Sequence, residues 1–297
     1  MRFGGRRTSS NIERQTGGGG GGFRMPGGLG GGGLPLPMGG RGQLGCGTIA
    51  LIVVIFFAFQ MCSGGGLGIG GLGGGGGEVK EGEEAIQGET DRFVAQVLAS
   101  TEDRWTEIFR ERGDEYVAPD LVFYDRSGNS GCGAAQSAMG PFYCPADNKI
   151  YLDTTFFEDL SRQLDAPGDF AQAYVVAHEV GHHVQTLMGR NDEVRSRQAS
   201  AGRAAGNELQ VRMELEADCF AGVWANRERE LMEAGDLEEG LRAAEAIGDD
   251  TLQQAGQGYT VPESFTHGTS EQRMRWLRRG YESGDPAQCD TFSAERL

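Results

Sequence analysis

Three of the chain's four histidines fall within six residues, in the segment Phe170-Ala-Gln-Ala-Tyr-Val-Val-Ala-His178-Glu179-Val-Gly-His182-His183-Val-Gln-Thr-Leu187. Apolar residues at 170, 173, 174, 177, 180, 184 and 187 follow the 3.6-residue period of a buried helix. His178 and His182 are four apart, so their imidazoles stand on one face and both can reach a single metal ion. Glu179 is rotated about 100° around the axis, which suits it to a metal-held water better than to the metal. This is the H-E-x-x-H pattern that serves metal-assisted hydrolysis, with the Glu as general base. His183 lies off that face, where packing or support of a neighbour is its expected role.

A catalytic zinc takes three protein ligands and keeps a fourth position for water. No third histidine stands at the metzincin spacing, where Gln185 and Met188 occupy the positions of the required Gly and His. Downstream, Arg212-Met-Glu214-Leu-Glu216-Ala-Asp218-Cys-Phe-Ala-Gly-Val-Trp224 is again helical by its apolar spacing. Glu214 and Asp218 share a face, while Glu216 points elsewhere, as on a solvated surface. A Glu ligand with an Asp one turn on, accepting from the far nitrogen of a ligand histidine, is the arrangement a zinc site calls for. Glu216 and Asp218 remain competing ligands. His267, in Ser264-Phe-Thr-His267-Gly268 before a helix containing Gln272, Arg273, Trp276 and Leu277, is the one histidine outside the zinc helix. It is the best donor for a developing oxyanion, with a helix-cap or surface role as the alternative.

These helices need a scaffold. Residues 90–112 form an amphipathic helix, with Phe93, Val94, Val97, Leu98, Trp105, Ile108 and Phe109 at helical spacings. Short β-type runs follow at Leu121–Tyr124, Pro141–Cys144 and Lys149–Asp153, separated by turn residues. They predict a small antiparallel sheet, with Lys149–Asp153 as an edge on which an extended peptide could dock. After residue 157 almost everything is helix-compatible, so the domain is α+β and mainly helical; the H-E-x-x-H helix within it makes the expected kind zincin-like.

Thirty of the 51 glycines in the 297-residue chain lie before residue 78, so the front quarter is expected to stay unstructured and the remainder to fold. Charge divides the same way: residues 1–62 carry six arginines against Glu13, and the domain beyond is strongly acidic. An acidic domain repels phosphates, so nucleic acid is not an expected partner. Between the two lies the uncharged run Thr48–Phe59, flanked by Cys46 and Cys62. Taken from Leu44 it is just long enough to span a hydrocarbon core of about 30 Å. It begins too far into the chain for a cleaved signal peptide. The expected organisation is a Gly-rich basic cytoplasmic arm at 1–45, a transmembrane anchor at 46–62 in the lipid bilayer, a Gly-rich and acidic linker at 63–89, and a metallopeptidase domain at 90–297. The arginine bias puts the N-terminus in the cytoplasm and the C-terminal domain outside.

Four cysteines lie in that domain, an even number compatible with two disulfides. Cys132 with Cys144 would close a short loop beside a strand, leaving Cys219 with Cys289; free buried thiols are the alternative.

Met1-Arg-Phe with Arg6-Arg7 and Ser10-Asn11-Ile12-Glu13, the glycine-rich stretch, the apolar run, Gly140-Pro-Phe-Tyr-Cys-Pro145, His178-Glu-Val-Gly-His-His183, Glu214-Leu-Glu-Ala-Asp218-Cys-Phe-Ala-Gly222 and Thr266-His267-Gly268 together resemble the bacterial neutral zinc metallopeptidase family, over nearly the whole chain. The zinc motif is similar to that of the CaaX prenyl endopeptidases, gluzincins that use two histidines and the Glu four before an Asp. Carried over, the resemblance makes Glu214 the third ligand and Asp218 its supporting partner. It implies a peptidase anchored in the bacterial cell membrane by one span, with peptide or protein substrates. Those prenyl endopeptidases have several spans, so the likeness says little about which peptide is cut.

The expected mechanism has zinc activate a water and polarise the scissile carbonyl while Glu179 takes the proton and returns it to the leaving amine. The rival reading is a membrane-anchored scaffold with a structural zinc. Such a site is normally closed by a fourth protein ligand, and no fourth His or Cys stands at suitable spacing.

Overall fold

The computed structural model describes residues 1–16 and 78–297. In chain order the strands are β1 (Ile12–Thr16), β2 (Glu78–Glu81), β3 (Asp120–Phe123), β4 (Ser127–Ser130), β5 (Gly133–Gln136), β6 (Phe142–Cys144) and β7 (Lys149–Leu152). The helices are α1 (Gly88–Arg112), α2 (Thr155–Arg162), α3 (Asp169–Leu187), α4 (Arg190–Ser200), α5 (Arg203–Arg227), α6 (Asp236–Ala246), α7 (Asp249–Gln257) and α8 (Ser270–Ser283). The α+β organisation and the sheet-then-helices order agree with the sequence pattern.

The sheet itself corrects two expectations. It has the order β2-β1-β3-β7-β6 and is mixed, because β1 pairs with β3 and β3 with β7 in parallel. Parallel neighbours need a long crossover; α1 carries the chain from β1 and β2 to β3, and the β4-β5 hairpin with β6 fills the path to β7. The second correction concerns the edge. Lys149–Leu152 is an interior strand between β3 and β6, so the edge at this end is β6.

The largest departure is at the N-terminus. Residues 1–16, which their composition assigns to an unstructured arm, are part of the domain, and the domain also takes in β2 and the start of α1 before residue 90. Ile12 and Phe3 are buried in the main core. Arg14 pairs with Asp91 and donates to the Ala85 carbonyl at 2.7 Å, Arg7 reaches Glu102 at 2.9 Å and Asp103 at 2.7 Å, and Asn11 donates to Glu102 at 2.9 Å. Polar, β-neutral Ile-Glu-Arg-Gln-Thr becomes a strand because it is clamped on both sides, a tertiary effect that outweighs weak propensity.

No helix among the described residues is long and apolar enough to cross a membrane. The expected anchor at 46–62, with 17–45 and 63–77, lies outside the described residues.

α5 is the central helix, packed against α3, α8 and α1. Two glycines permit the close approach. A Cβ on Gly181 of α3 would lie 2.9 Å from the Ala217 carbonyl oxygen, and one on Gly280 of α8 would lie 1.9 Å from that of Cys219. Trp105, Trp224 and Trp276 fill the space around them, each almost fully buried. Both disulfides pair as expected: Cys132–Cys144 ties the β4-β5 hairpin to the edge strand, and Cys219–Cys289 ties α5 to the C-terminal segment.

Candidate metal centre

α3 presents His178 and His182 to α5 with ring centroids 4.8 Å apart. Gly181 between them lets the α5 backbone come close enough for Glu214 to meet both. Its Oε2 is 3.3 Å from His178 Nε2 and 3.6 Å from His182 Nε2. These three side chains each offer one ligand atom, all within 4.8 Å of one another. Two imidazole nitrogens and one carboxylate oxygen converging in this way fit a catalytic zinc, which takes such a set and leaves a position open. Gln210, one turn before Glu214, donates to its Oε1 at 3.0 Å, which leaves Oε2 turned towards the histidines.

Each histidine is held from behind through Nδ1. His178 Nδ1 is 2.8 Å from Asp218 Oδ1. Asp218 is fully buried and also receives Arg273 from α8 through two contacts of 2.9 Å and the Tyr174 hydroxyl at 2.6 Å. His182 Nδ1 instead meets the amide oxygen of Gln185 at 2.9 Å. The Gln185 amide nitrogen donates to the Met213 carbonyl at 2.7 Å and to Glu216 at 3.0 Å, and Arg190 of α4 closes on Glu216 at 3.2 Å. The reading of Glu216 as a solvated acid is therefore corrected: it is 2% exposed and paired.

The charges follow from these contacts. Burial alone would lower the pKa of His178, but Asp218 and Glu214 raise it to about 10. Burial likewise opposes charge on His182, and Glu214 outweighs it. Burial would lift Glu214, yet the two histidines hold it well below the usual carboxylate range. Asp218 is held at about 2, its burial overcome chiefly by Arg273 and His178. In each of the four groups oppositely charged neighbours outweigh the burial that opposes its charge.

Glu179 lies beside this cluster and is 7% exposed. Burial pushes its carboxyl up, against the pull of His178, His182 and the Tyr143 backbone N–H on edge strand β6. A raised carboxyl is what a base needs if it is to hold a proton in mid-reaction. His183 points away, with Nε2 2.6 Å from the Val117 carbonyl and Nδ1 3.2 Å from the Tyr143 hydroxyl, so it pins the loop before β3 and strand β6 to α3.

His267 is brought to the same region from the loop before α8. Asp249 at the start of α7 receives the backbone N–H groups of Thr266, His267 and Gly268 at 2.7, 2.6 and 3.0 Å, and its other oxygen is 3.3 Å from His267 Nδ1. Burial works against a charged His267, Asp249 and Glu214 favour it, and its pKa is raised.

Sequence reasoning missed Tyr174, Gln185 and Gln210, although helical spacing could have found them. Tyr174 is one turn before His178, Gln210 one turn before Glu214, and Gln185 three residues after His182. Arg273, Arg190 and Asp249 arrive from other elements, with no local signal.

The sequence profile of the family described as "Putative neutral zinc metallopeptidase" matches residues 1–292. The chain is 48% identical over 300 residues to the "Uncharacterized protein YpfJ" of Escherichia coli (strain K12), covering 98% of this chain and 99% of that protein. It is 40% identical over 222 residues to the "Uncharacterized protein Rv2575" of Mycobacterium tuberculosis (strain ATCC 25618 / H37Rv), covering 70% and 74% respectively. No solved structure matches the chain. With the donor set and the buried glutamate beside it, a match of this extent means that the chain belongs to the neutral zinc metallopeptidase family.

Proposed function

We propose that the protein is a zinc-dependent peptidase that hydrolyses peptide bonds, held at a bacterial membrane by its apolar run at 46–62. The observation that carries the catalytic reading is the convergence of His178, His182 and Glu214 with buried Glu179 alongside. Three protein donors leave room for water, whereas a structural site is normally closed by a fourth.

Bound there, zinc supplies Lewis acidity, which activates water at neutral pH and polarises a carbonyl. The chain's own residues do the rest. His178 and His182 offer Nε2 because Asp218 and Gln185 engage Nδ1, and Glu214 offers Oε2 because Gln210 engages Oε1. Glu179 takes the proton of the attacking water onto its carboxylate and delivers it to the departing amine nitrogen. His267, steadied by Asp249, is the donor assigned to the developing oxyanion. The substrate's backbone would pair along β6, the edge strand that packs against α3, the helix carrying Glu179.

Glu179→Gln is the test. Full-length protein carrying it should keep one zinc per chain and lose at least about a hundredfold of cleavage on a peptide library. A wild-type protein that holds zinc and cleaves nothing in a broad library would favour the scaffold instead.

A further inference from the structure

The contacts of the first 16 residues bear on membrane topology, independently of the catalytic reading. β1 is an interior strand. It pairs with β2 in the register Thr16↔Glu78 on one side and with β3 in the register Ile12↔Leu121 on the other. The chain therefore leaves the sheet at Thr16 and re-enters it at the directly opposed Glu78, one strand spacing or about 5 Å away. The apolar run lies within that excursion.

A single membrane crossing would separate Thr16 from Glu78 by at least the hydrocarbon thickness, about 30 Å. The sheet could not then form. Two crossings would restore it, but a second span needs about 20 apolar residues. The 15 residues from Ser63 to Gly77 are too few, and the 27 before Leu44 include Arg24 and Arg41.

The arginines that suggest a cytoplasmic N-terminus have another use. Arg2 donates to the Glu230 carbonyl at 2.6 Å, Arg6 is 3.6 Å from the Glu230 carboxylate, Arg7 engages Glu102 and Asp103, and Arg14 engages Asp91. Four of the six bind the acidic domain, so their number is explained without a membrane potential or a translocation bias. The Glu13–Lys149 pair adds a link from β1 to β7.

We infer that Met1–Thr16 and Glu78–Leu297 occupy the same face of the membrane and that the chain makes no net crossing between them. This replaces the expectation of a cytoplasmic arm and an external domain joined by one span.

Single cysteines at two exposed positions, Gly4→Cys and Tyr259→Cys, test this in full-length protein whose Cys46 and Cys62 are changed to serine. Membrane-impermeant maleimide applied to spheroplasts should label both or spare both, and label both after permeabilisation. Labelling of one with protection of the other would overturn the inference. A second measurement reads the sheet directly: Gln15→Cys with Val79→Cys, an opposed pair on β1 and β2. In intact spheroplasts under mild oxidation it should cross-link within one chain. Failure to cross-link in protein that still melts cooperatively would also overturn it.

Discussion

His178 and His182 stand one turn apart on the same helix, yet different chemistry holds them. Behind His178 is a carboxylate, Asp218, whose charge is matched by buried Arg273. Behind His182 is an amide, Gln185, and only beyond it a carboxylate–arginine pair, Glu216 with Arg190. At Nδ1 one ring meets a formal charge directly, while the other meets an amide that stands between it and the charge. The first arrangement strengthens the imidazole as a donor and fixes its tautomer; the second mainly orients the ring. The acids behind both rings, Asp218 and Glu216, come from one helix. Along α5 the acids at 214, 216 and 218 face the metal position, the back of His182's support and the back of His178 respectively.

The comparison ranks the acids of α5. Glu214→Ala should have the largest effect on metal, since it removes a donor atom rather than the support of one. Chelator competition should show loss of stoichiometric zinc. Retention of zinc by Glu214→Ala with loss in Asp218→Ala would make Asp218 the ligand in place of the proposed Glu214, while leaving a role for Glu179.

Asp218→Asn comes next, and its main effect should be on the fold. It strands Arg273 as a buried charge, a change that typically costs about 3–5 kcal/mol, and lowers zinc affinity about 10- to 100-fold. The two effects separate in the double variant Asp218→Asn with Arg273→Met. Denaturant melting should recover most of the stability, because the orphaned charge is gone, while zinc affinity stays low. Recovery of both together would mean that Asp218 acts on the metal only through the fold.

This ordering also shows what the sequence could and could not convey. Ligand spacing is a local property: His178 and His182, or Glu214 and Asp218, are four apart on one chain segment, so helix geometry alone brings them onto a face. Glu216 was misread because the same geometry turns it away from the ligands, and a face turned away is usually wet. From Met213 to Ala225 every residue of α5 is buried, so this stretch of the central helix has no solvated face to offer. Three of the sheet's five strands, β3, β6 and β7, are legible as runs, but their direction depends on which distant segment lies between them. β1 was invisible for that reason: 61 residues separate Thr16 from its partner Glu78, and glycine dominates between them. Arg273 belongs to the same class, since its meaning comes from Asp218, 55 positions away.

Glu216→Gln sharpens the second half of the comparison. A solvated acid would tolerate the change, but here it leaves partly buried Arg190 with the more exposed Glu193 at 2.8 Å and Asp290 at 4.0 Å. The expected outcome is a lower melting temperature with zinc affinity reduced less than in Asp218→Asn, because Gln185 can still orient His182. A melting temperature equal to wild type would mean that Arg190 and Glu216 contribute nothing net, as many ion pairs do.

Gln185→Met should have the smallest effect on the metal. The variant keeps the volume and removes the amide, so His182 Nδ1, the Met213 carbonyl and one Glu216 oxygen each lose a partner. Ring orientation is then left to packing, and zinc affinity should fall about tenfold, the lower end for loss of a supporting group. Melting with and without zinc tells positioning from mere structure, because a ligand bound only to the folded state stabilises it according to its affinity. If Gln185 only ties α3 to α5, the apo and zinc-loaded forms lose the same stability. If it positions His182, the extra stabilisation conferred by zinc shrinks as well. A loss of affinity as large as that of Asp218→Asn would break the comparison, showing that an interposed amide supports a ligand histidine as strongly as a carboxylate held by arginine.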